Sequence, residues 1–331
     1  MLFFFKIITL LFLFKFLIFN SVFATTSDAD FQTWLTSYKK IALKKGISQK
    51  TIDIAFKDVK FLEEVIGYDR KQPEFFEDTV TYVNKRATDS RAKKAEQLFK
   101  TNTHLFNEVE NEFGVEKEIL LALWGIETQF GKYVGKMDIV SSLATLSYDM
   151  RRRDFFSSQL LSLLKLIDKK LIDSGKLYGS WAGAYGNFQF MPTTISRYAI
   201  DYDNNNKIEL KTSLEDSLAS AANYISKIGW KKGEPCFYSV KLTKKMKRAY
   251  INLSARKITN KLKISKWKHK GVVNIDGSEL QGNLKAALIL PDGKPEAPMF
   301  LVFDNYEKIL KWNRSLRFGI SVCTLAKMIK L

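Results

Sequence analysis

The sequence predicts a mainly α protein of the α+β kind: a large helical body carrying one small antiparallel β lobe. Three observations predict it. Apolar residues recur at steps of three and four through most of the chain as far as Trp230, the signature of helices that bury one face. After Trp230, short runs with partial alternation stand between Gly, Pro or charged turns. From Asn305 the helical spacing returns. With 331 residues, 46% of them hydrophobic and 13% aromatic, the chain can bury a large core and is globular, not disordered. The expected divisions are residues 1–24, 25–230, 231–304 and 305–331.

The first 24 residues differ from all the rest. They are almost wholly apolar, broken by Lys6 and Lys15, and end Val22-Phe23-Ala24 before Thr25-Thr26-Ser27-Asp28. That border suits signal-peptidase cleavage after Ala24, so a signal peptide over 1–24 and a periplasmic destination are expected. An uncleaved N-terminal membrane anchor is the other reading, since the run approaches the ~20 residues that span a bilayer. No cysteine lies near the border, which argues against a lipid anchor there.

From 28 to 113 the reading is helical, with amphipathic stretches over 31–45, 79–101 and 103–112. Gly67 and Pro73 make 61–76 an extended arm. Next comes an apolar run in which Val115, Ile119, Leu123, Ile126 and Phe130 share one helical face, with Gly131 placed as a left-handed cap. A Gly-bearing loop, a helix over 139–148 and a helix over 154–172 come after it, the last introduced by Arg151-Arg152-Arg153. The small-residue stretch 179–192 holds three glycines and two alanines among aromatics, which suggests backbone packed close to a ligand or a neighbouring helix. Pro192 opens a helix that continues through 196–200. An acidic loop starts at Asp201, and 217–229 is helical again. Strand-like runs lie at 237–242, 250–253, 261–267, 279–290 and 300–303, and 305–331 closes the chain as helix. No internal repeat is visible.

Within the apolar run stands one carboxylate. Glu127 falls four residues after Leu123 and seven after Leu120, on their side of the helix. A carboxyl held against Leu and aromatic neighbours resists ionisation, because desolvation penalises the charged form; that is how a Glu becomes a proton donor at neutral pH. The plainer reading is a Glu at the helix edge, solvated or paired with a Lys.

The formal charge of +18, or +16 without Lys6 and Lys15, invites a polyanionic partner. Export argues against nucleic acid and for the cell wall, acidic polysaccharide or lipid surfaces. Cys236 and Cys323 are the only cysteines; in an oxidising compartment they can pair, though two cysteines make no disulfide scaffold.

Several blocks, in order, carry a resemblance. Trp124 to Gly131, Ser142 to Asp149, Gly183 to Pro192, Ala222-Asn223-Tyr224 and Ile309 to Ser315 are similar to the membrane-bound lytic murein transglycosylase B family. The resemblance implies a lysozyme-like helical catalytic core. It also implies cleavage of the MurNAc–GlcNAc β-1,4 bond of peptidoglycan with formation of 1,6-anhydro-MurNAc ends. By the same resemblance Glu127 is the single catalytic acid, and Ser180, Gln189, Phe190 and Tyr224 lie in the saccharide groove. Ordinary glycosidases need two carboxylates; here the substrate's C6 hydroxyl is the nucleophile, so Glu127 serves first as acid and then as base. No second acidic residue stands out beside it, Asp138 and Asp149 being the nearest downstream. Gln189 has another reading, in which its amide satisfies buried backbone. Arg151 and Arg152 match an Arg pair that faces acidic peptide or lactyl groups; the alternative is a helix-start cluster facing water. Trp312 stands where the family often has Tyr, a change that keeps stacking and loses a phenolic hydrogen bond.

The loop that begins at Asp201 reads as an EF-hand-like calcium loop. Asp201, Asp203 and Asn205 take positions 1, 3 and 5, the Lys207 carbonyl position 7, and Ile208 the apolar position 8. Asn206 replaces the usual Gly. Position 12 is Thr212, so the closing carboxylate is Glu215 or Asp216. A Ca2+ here would be structural, and catalysis needs no cofactor. The chain is thus expected to be a monomeric lytic transglycosylase acting on peptidoglycan strands, with other cell-wall enzymes as further partners and no nucleic acid. A hydrolytic muramidase of the same fold and an inactive peptidoglycan-binding scaffold are the alternatives.

Overall fold

The computed structural model describes residues 28–71, 76–173, 175 and 177–331. The expected signal peptide over 1–24, and residues 72–75 of the expected arm, lie outside them. The described chain opens with α1 (Asp28–Lys44), α2 (Gln49–Ala55), α3 (Glu63–Arg70), α4 (Thr79–Arg86), α5 (Asp89–Thr101), α6 (Thr103–Phe113) and α7 (Lys117–Thr128). After strand β1 (Met137–Asp138) come α8 (Ile139–Tyr148), α9 (Arg153–Asp168), β2 (Tyr178–Gly179), α10 (Pro192–Tyr198) and α11 (Leu214–Lys227). The β lobe holds β3 (Phe237–Leu242), β4 (Ile251–Asn252), β5 (Leu262–Lys263), α12 (Ile264–His269), β6 (Val272–Asn274), β7 (Lys285–Ile289) and β8 (Met299–Val302). Helices α13 (Asp304–Trp312) and α14 (Leu316–Met328) complete the chain.

Local chemistry sets these boundaries. The expected single stretch over 79–101 is two helices, because Thr88 accepts a hydrogen bond from the Arg91 amide and starts α5 afresh. The expected arm over 61–76 is also corrected: Glu63–Arg70 is helical, with Glu63 and Glu64 in the first turn, where the helix dipole favours acids. Run 261–267 is mostly α12, with Trp267 fully buried. The closing helix is broken at Asn313–Ser315, where the Ser315 hydroxyl caps α14.

Helix α7 is the axis of the body. Leu120, Leu121, Ala122 and Leu123 are all fully buried, so this helix is covered on every side, by α14, α5, α6 and α11. One continuous core runs from Phe31 to Ile329, and the β lobe adds a second, around Trp267 and Leu288. The lobe's strand order is β4-β7-β8-β3-β6, with β5 also on β7. Its pairs are antiparallel except β4 with β7, which is parallel, a departure from the purely antiparallel lobe expected. Cys236, just before β3, is bonded to Cys323 in α14, so the lobe is covalently tied to the helix that covers α7. Asp292 adds a polar tie: it accepts from the Thr79 amide and hydroxyl at the start of α4 and pairs with Arg317 at 2.7 Å.

Candidate active site

Glu127 lies in the last turn of α7, half-buried. The backbone just beyond it is unusual: Gln129, Phe130 and Gly131 are all left-handed, with φ of 50°, 60° and 83°. Gln129, not Gly131, is the helix cap. Two successive non-glycine residues in that region cost roughly 1–2 kcal/mol each, and local packing holds them. Phe130 folds back over Gly125 so closely that a Cβ there would lie 2.7 Å from its ring, which is why an otherwise apolar helix carries a glycine. The Thr128 hydroxyl accepts from the Gly131 amide and donates to the Asn187 carbonyl at 2.7 Å.

Asn187 is the hub that the sequence reading missed. Its side-chain oxygen accepts from the Trp124 indole at 3.1 Å, its amide nitrogen donates to the Lys211 carbonyl, and its backbone N–H donates to the Leu210 carbonyl. It thereby fixes stretch 179–192 against both the end of α7 and the acidic loop. Gly186 must be glycine for the same approach: φ is +80°, and a Cβ would meet the Leu210 carbonyl at 2.4 Å. A single Asn among the small and aromatic residues of 179–192 was the available signal.

Trp312, at the end of α13, donates its indole N–H to Glu127 Oε1 at 2.9 Å. Its ring packs against Phe190 at 5.2 Å and Tyr224 at 5.3 Å between centroids, and Phe188 meets it edge-on. Tyr224 donates to the Lys311 carbonyl at 3.1 Å, and burial raises its phenol to about 12. The Phe190, Tyr224 and Trp312 rings form one wall of a groove of about 800 Å³ lined also by Phe155, Phe156, Gln159, Trp181 and Gln189. The β lobe closes another side with Leu253 to Arg256 and Pro291. Aromatic faces with a few polar groups between them are what a sugar strand requires.

The other expected site residues divide. Gln189, itself left-handed at φ 50°, donates to the Val134 and Gly186 carbonyls; its amide nitrogen is thus committed to backbone, and its oxygen remains for a ligand. The Ser180 hydroxyl oxygen accepts from the Ala182 and Ala184 amides and pins the turn that presents Trp181 and Ala182 to the groove. Arg151 does not line the groove: it forms an ion pair with Asp69 of α3, a carboxylate that is 3% exposed. Arg152 reaches Asp69 at 3.2 Å and does line the groove, its guanidinium over Phe155 and Phe156. Asp138 caps α8 and Asp149 pairs with Arg70, so both carboxylates nearest downstream of Glu127 are structural. Among the described residues no Asp or Glu lines the groove.

In the acidic loop, carboxylate oxygens of Asp201, Asp203 and Asp216 lie within 4.8 Å of one another. The sequence left Glu215 and Asp216 open as closing residue, and the cluster holds Asp216. That side chain is fully buried and accepts from the Tyr202 and Glu209 amides. Desolvation pushes the Asp203 carboxyl above its usual range, and the charges of Asp216 and Asp201 add to the shift despite the Asn205 amide. The Asn205 side-chain oxygen accepts from the Lys207 amide, and its nitrogen donates to Glu209. An oxygen-only donor set with mutually repelling carboxylates suits a hard divalent cation.

The sequence model of the transglycosylase SLT domain matches residues 30–327. Over 123 residues the chain is 39% identical to the membrane-bound lytic murein transglycosylase B of Escherichia coli strain K12; the match spans 37% of this chain and 34% of that protein. Among solved structures, SltB3 of Pseudomonas aeruginosa in complex with NAG-anhNAM-pentapeptide superposes with a TM-score of 0.81 at 33% identity, over 89% of this chain and 78% of that one. The Escherichia coli lytic transglycosylase Slt35 in complex with calcium shares the fold, with a TM-score of 0.75 at 24% identity over 89% and 92% of the two chains.

Proposed function

This chain belongs to the transglycosylase SLT domain family, and from that membership we propose that it is a peptidoglycan lytic transglycosylase with Glu127 as its only acid and base. The observation that carries the reading is that Trp312, on the wall of the groove, donates to Glu127 just behind it, while no carboxylate among the described residues lines the groove itself. In the first step Glu127 protonates the glycosidic oxygen as the bond to the MurNAc C1 breaks. In the second, the resulting carboxylate takes the proton of the C6 hydroxyl, whose oxygen closes on C1 to give the 1,6-anhydro end; the acid is regenerated. Water is not consumed, so no second carboxylate is needed to activate it. Phe190, Tyr224 and Trp312 stack on the sugar, and the Gln189 oxygen and Arg152 orient it.

The Asp201 loop, with Asp203, Asn205, the Lys207 carbonyl and Asp216, is a structural calcium site that braces the Asn187 hub through Leu210 and Lys211. Removal of residues 1–24 on export would place the enzyme in the periplasm, where its substrate lies. Among the described residues no helix is long and apolar enough to cross a membrane. Mass spectrometry of digested sacculi tests the reading: anhydro-muropeptides are expected, and reducing-end products alone would make the enzyme a hydrolytic muramidase.

A further inference from the structure

The charge of the β lobe is concentrated. Between Glu234 and Asp276 stand twelve Lys or Arg, ten of them Lys, and no Asp or Glu. Folding brings two of the basic segments together. Segment 243–250, after β3, runs beside α12: the Thr243 amide and hydroxyl donate to the Gly271 carbonyl, and the Lys244 ammonium donates to the His269 carbonyl at 2.7 Å. Lys270 lies 3.9 Å over the Tyr250 ring, which meets the buried Trp267 edge-on. Ile264 and Trp267 are the buried side of α12, and Lys263, Lys266 and Lys270 stand three and four residues apart on another. Two acids adjoin this face: Glu279 pairs with Lys268 at 2.9 Å, and Asp276 acts on Lys241 at the turn after β6. Lys245, Lys247, Arg248, Lys263 and Lys266 are exposed and enter no ion pair among the described residues. Exposed apolar side chains adjoin the same part of the lobe: Ile275, just past edge strand β6, is 60% exposed, and Leu284, whose carbonyl accepts from the Ile264 amide, is 41% exposed. None of these residues lines the groove.

We propose that this face of the β lobe docks on an anionic phospholipid surface, holding the protein at a membrane while the groove stays free. The reading goes beyond the glycan chemistry and does not depend on it. Like charges gathered on one surface repel one another, and a sheet of phosphates relieves that repulsion. Lysine ammoniums are compact point charges on flexible stems, suited to a diffuse array of phosphates and not to two-point capture of one carboxylate. Clusters of roughly four to eight such cations are what anionic lipid attracts. Isolated apolar side chains beside them can enter the headgroup layer, a contact that a hydrated polyanion does not offer.

Co-sedimentation with vesicles tests it, using the chain from Thr25 onward, which keeps the whole core from Phe31 to Ile329. This protein should bind vesicles of phosphatidylethanolamine and phosphatidylglycerol, leave phosphatidylcholine vesicles unbound, and be released as salt rises. The quadruple variant Lys245→Gln/Lys247→Gln/Lys263→Gln/Lys266→Gln should bind the anionic vesicles at least about tenfold less tightly, and Arg at the same four positions should restore binding. Lys40→Gln/Lys50→Gln/Lys94→Gln/Lys100→Gln removes the same net charge from exposed sites on the helical body and should stay within about twofold of the parent. Equal losses from the two glutamine variants would overturn the proposal, because net charge and not this face would then be at work. Failure of the parent to bind anionic vesicles would overturn it too. Binding of purified sacculi or of a DNA fragment through the same four lysines, without binding of vesicles, would assign the face to those polymers instead. Muropeptide products from sacculi in solution report separately: their absence would sink the transglycosylase reading and leave the vesicle comparison intact.

Discussion

Glu127 shares one carboxylate oxygen with the Trp312 indole, and that bond fixes the orientation of the acid before substrate arrives. Trp312→Phe keeps an aromatic ring, smaller than the indole, against Phe190 and Tyr224 and deletes the donor. Steady-state kinetics on purified glycan should then show kcat falling up to about tenfold with KM nearly unchanged, because an orienting hydrogen bond worth about 0.5–1.5 kcal/mol is lost from the acid. Trp312→Ala removes the stacking face as well and should raise KM. Position in the helix identified Glu127 as a candidate only, since residues four and seven before it are buried whether the carboxylate faces solvent or substrate. Its proposed role rests on motifs elsewhere in the chain. The Trp312–Glu127 bond was not legible, because it joins residues 185 positions apart and the sequence suggested only stacking.

Elements were legible where their chemistry is local. The 139–148 and 237–242 runs match α8 and β3 to the residue, since each has a periodicity confined to its own stretch. The arm over 61–76 and the 261–267 run were misread because Gly67 with Pro73, or a partial alternation, outweighed a short helix whose stability comes from packing. The acidic loop ties the start of α11 to the Asn187 hub. Calcium should raise the melting temperature of the wild-type protein by several degrees and leave that of Asp216→Asn unchanged in a thermal scan. Helix α13 begins with a second acid worth testing. Asp304 accepts from Lys261 and Lys231, and those bonds hold its carboxyl down to about 2 against burial. Because the folded value lies below the ordinary 3.8, this stabilisation is fully present above about pH 4 and is lost as pH falls toward 2. Acid titration of unfolding should therefore show Asp304→Asn less stable than wild type at neutral pH, with the difference shrinking as pH falls through that window.

Across the molecule, the groove exists because the β lobe is held against the helical body. The Cys236–Cys323 bond closes a separation of 87 residues, and Asp292 reaches both Thr79 and Arg317. Converting both cysteines to serine should destabilise the fold by about 2–4 kcal/mol in urea denaturation. The lobe was visible in the sequence as a change of period after Trp230, but its single parallel pair and its placement over the groove depend on long-range contacts that no local pattern encodes. The same holds for Arg151, whose partner Asp69 lies 82 residues away on a helix read as an arm.

The proposed reaction, in which one carboxylate works with the substrate's own hydroxyl as nucleophile, would leave a signature in the products. The mass of the muropeptides released from purified sacculi by wild-type and Glu127→Gln enzyme of equal thermal stability reads that signature. Products one water lighter than the hydrolysed species are expected from the wild type, with a loss of at least about 100-fold in their rate of release from the variant. Products carrying the mass of added water, or release by Glu127→Gln at the wild-type rate, would refute a lone acid working with a substrate hydroxyl.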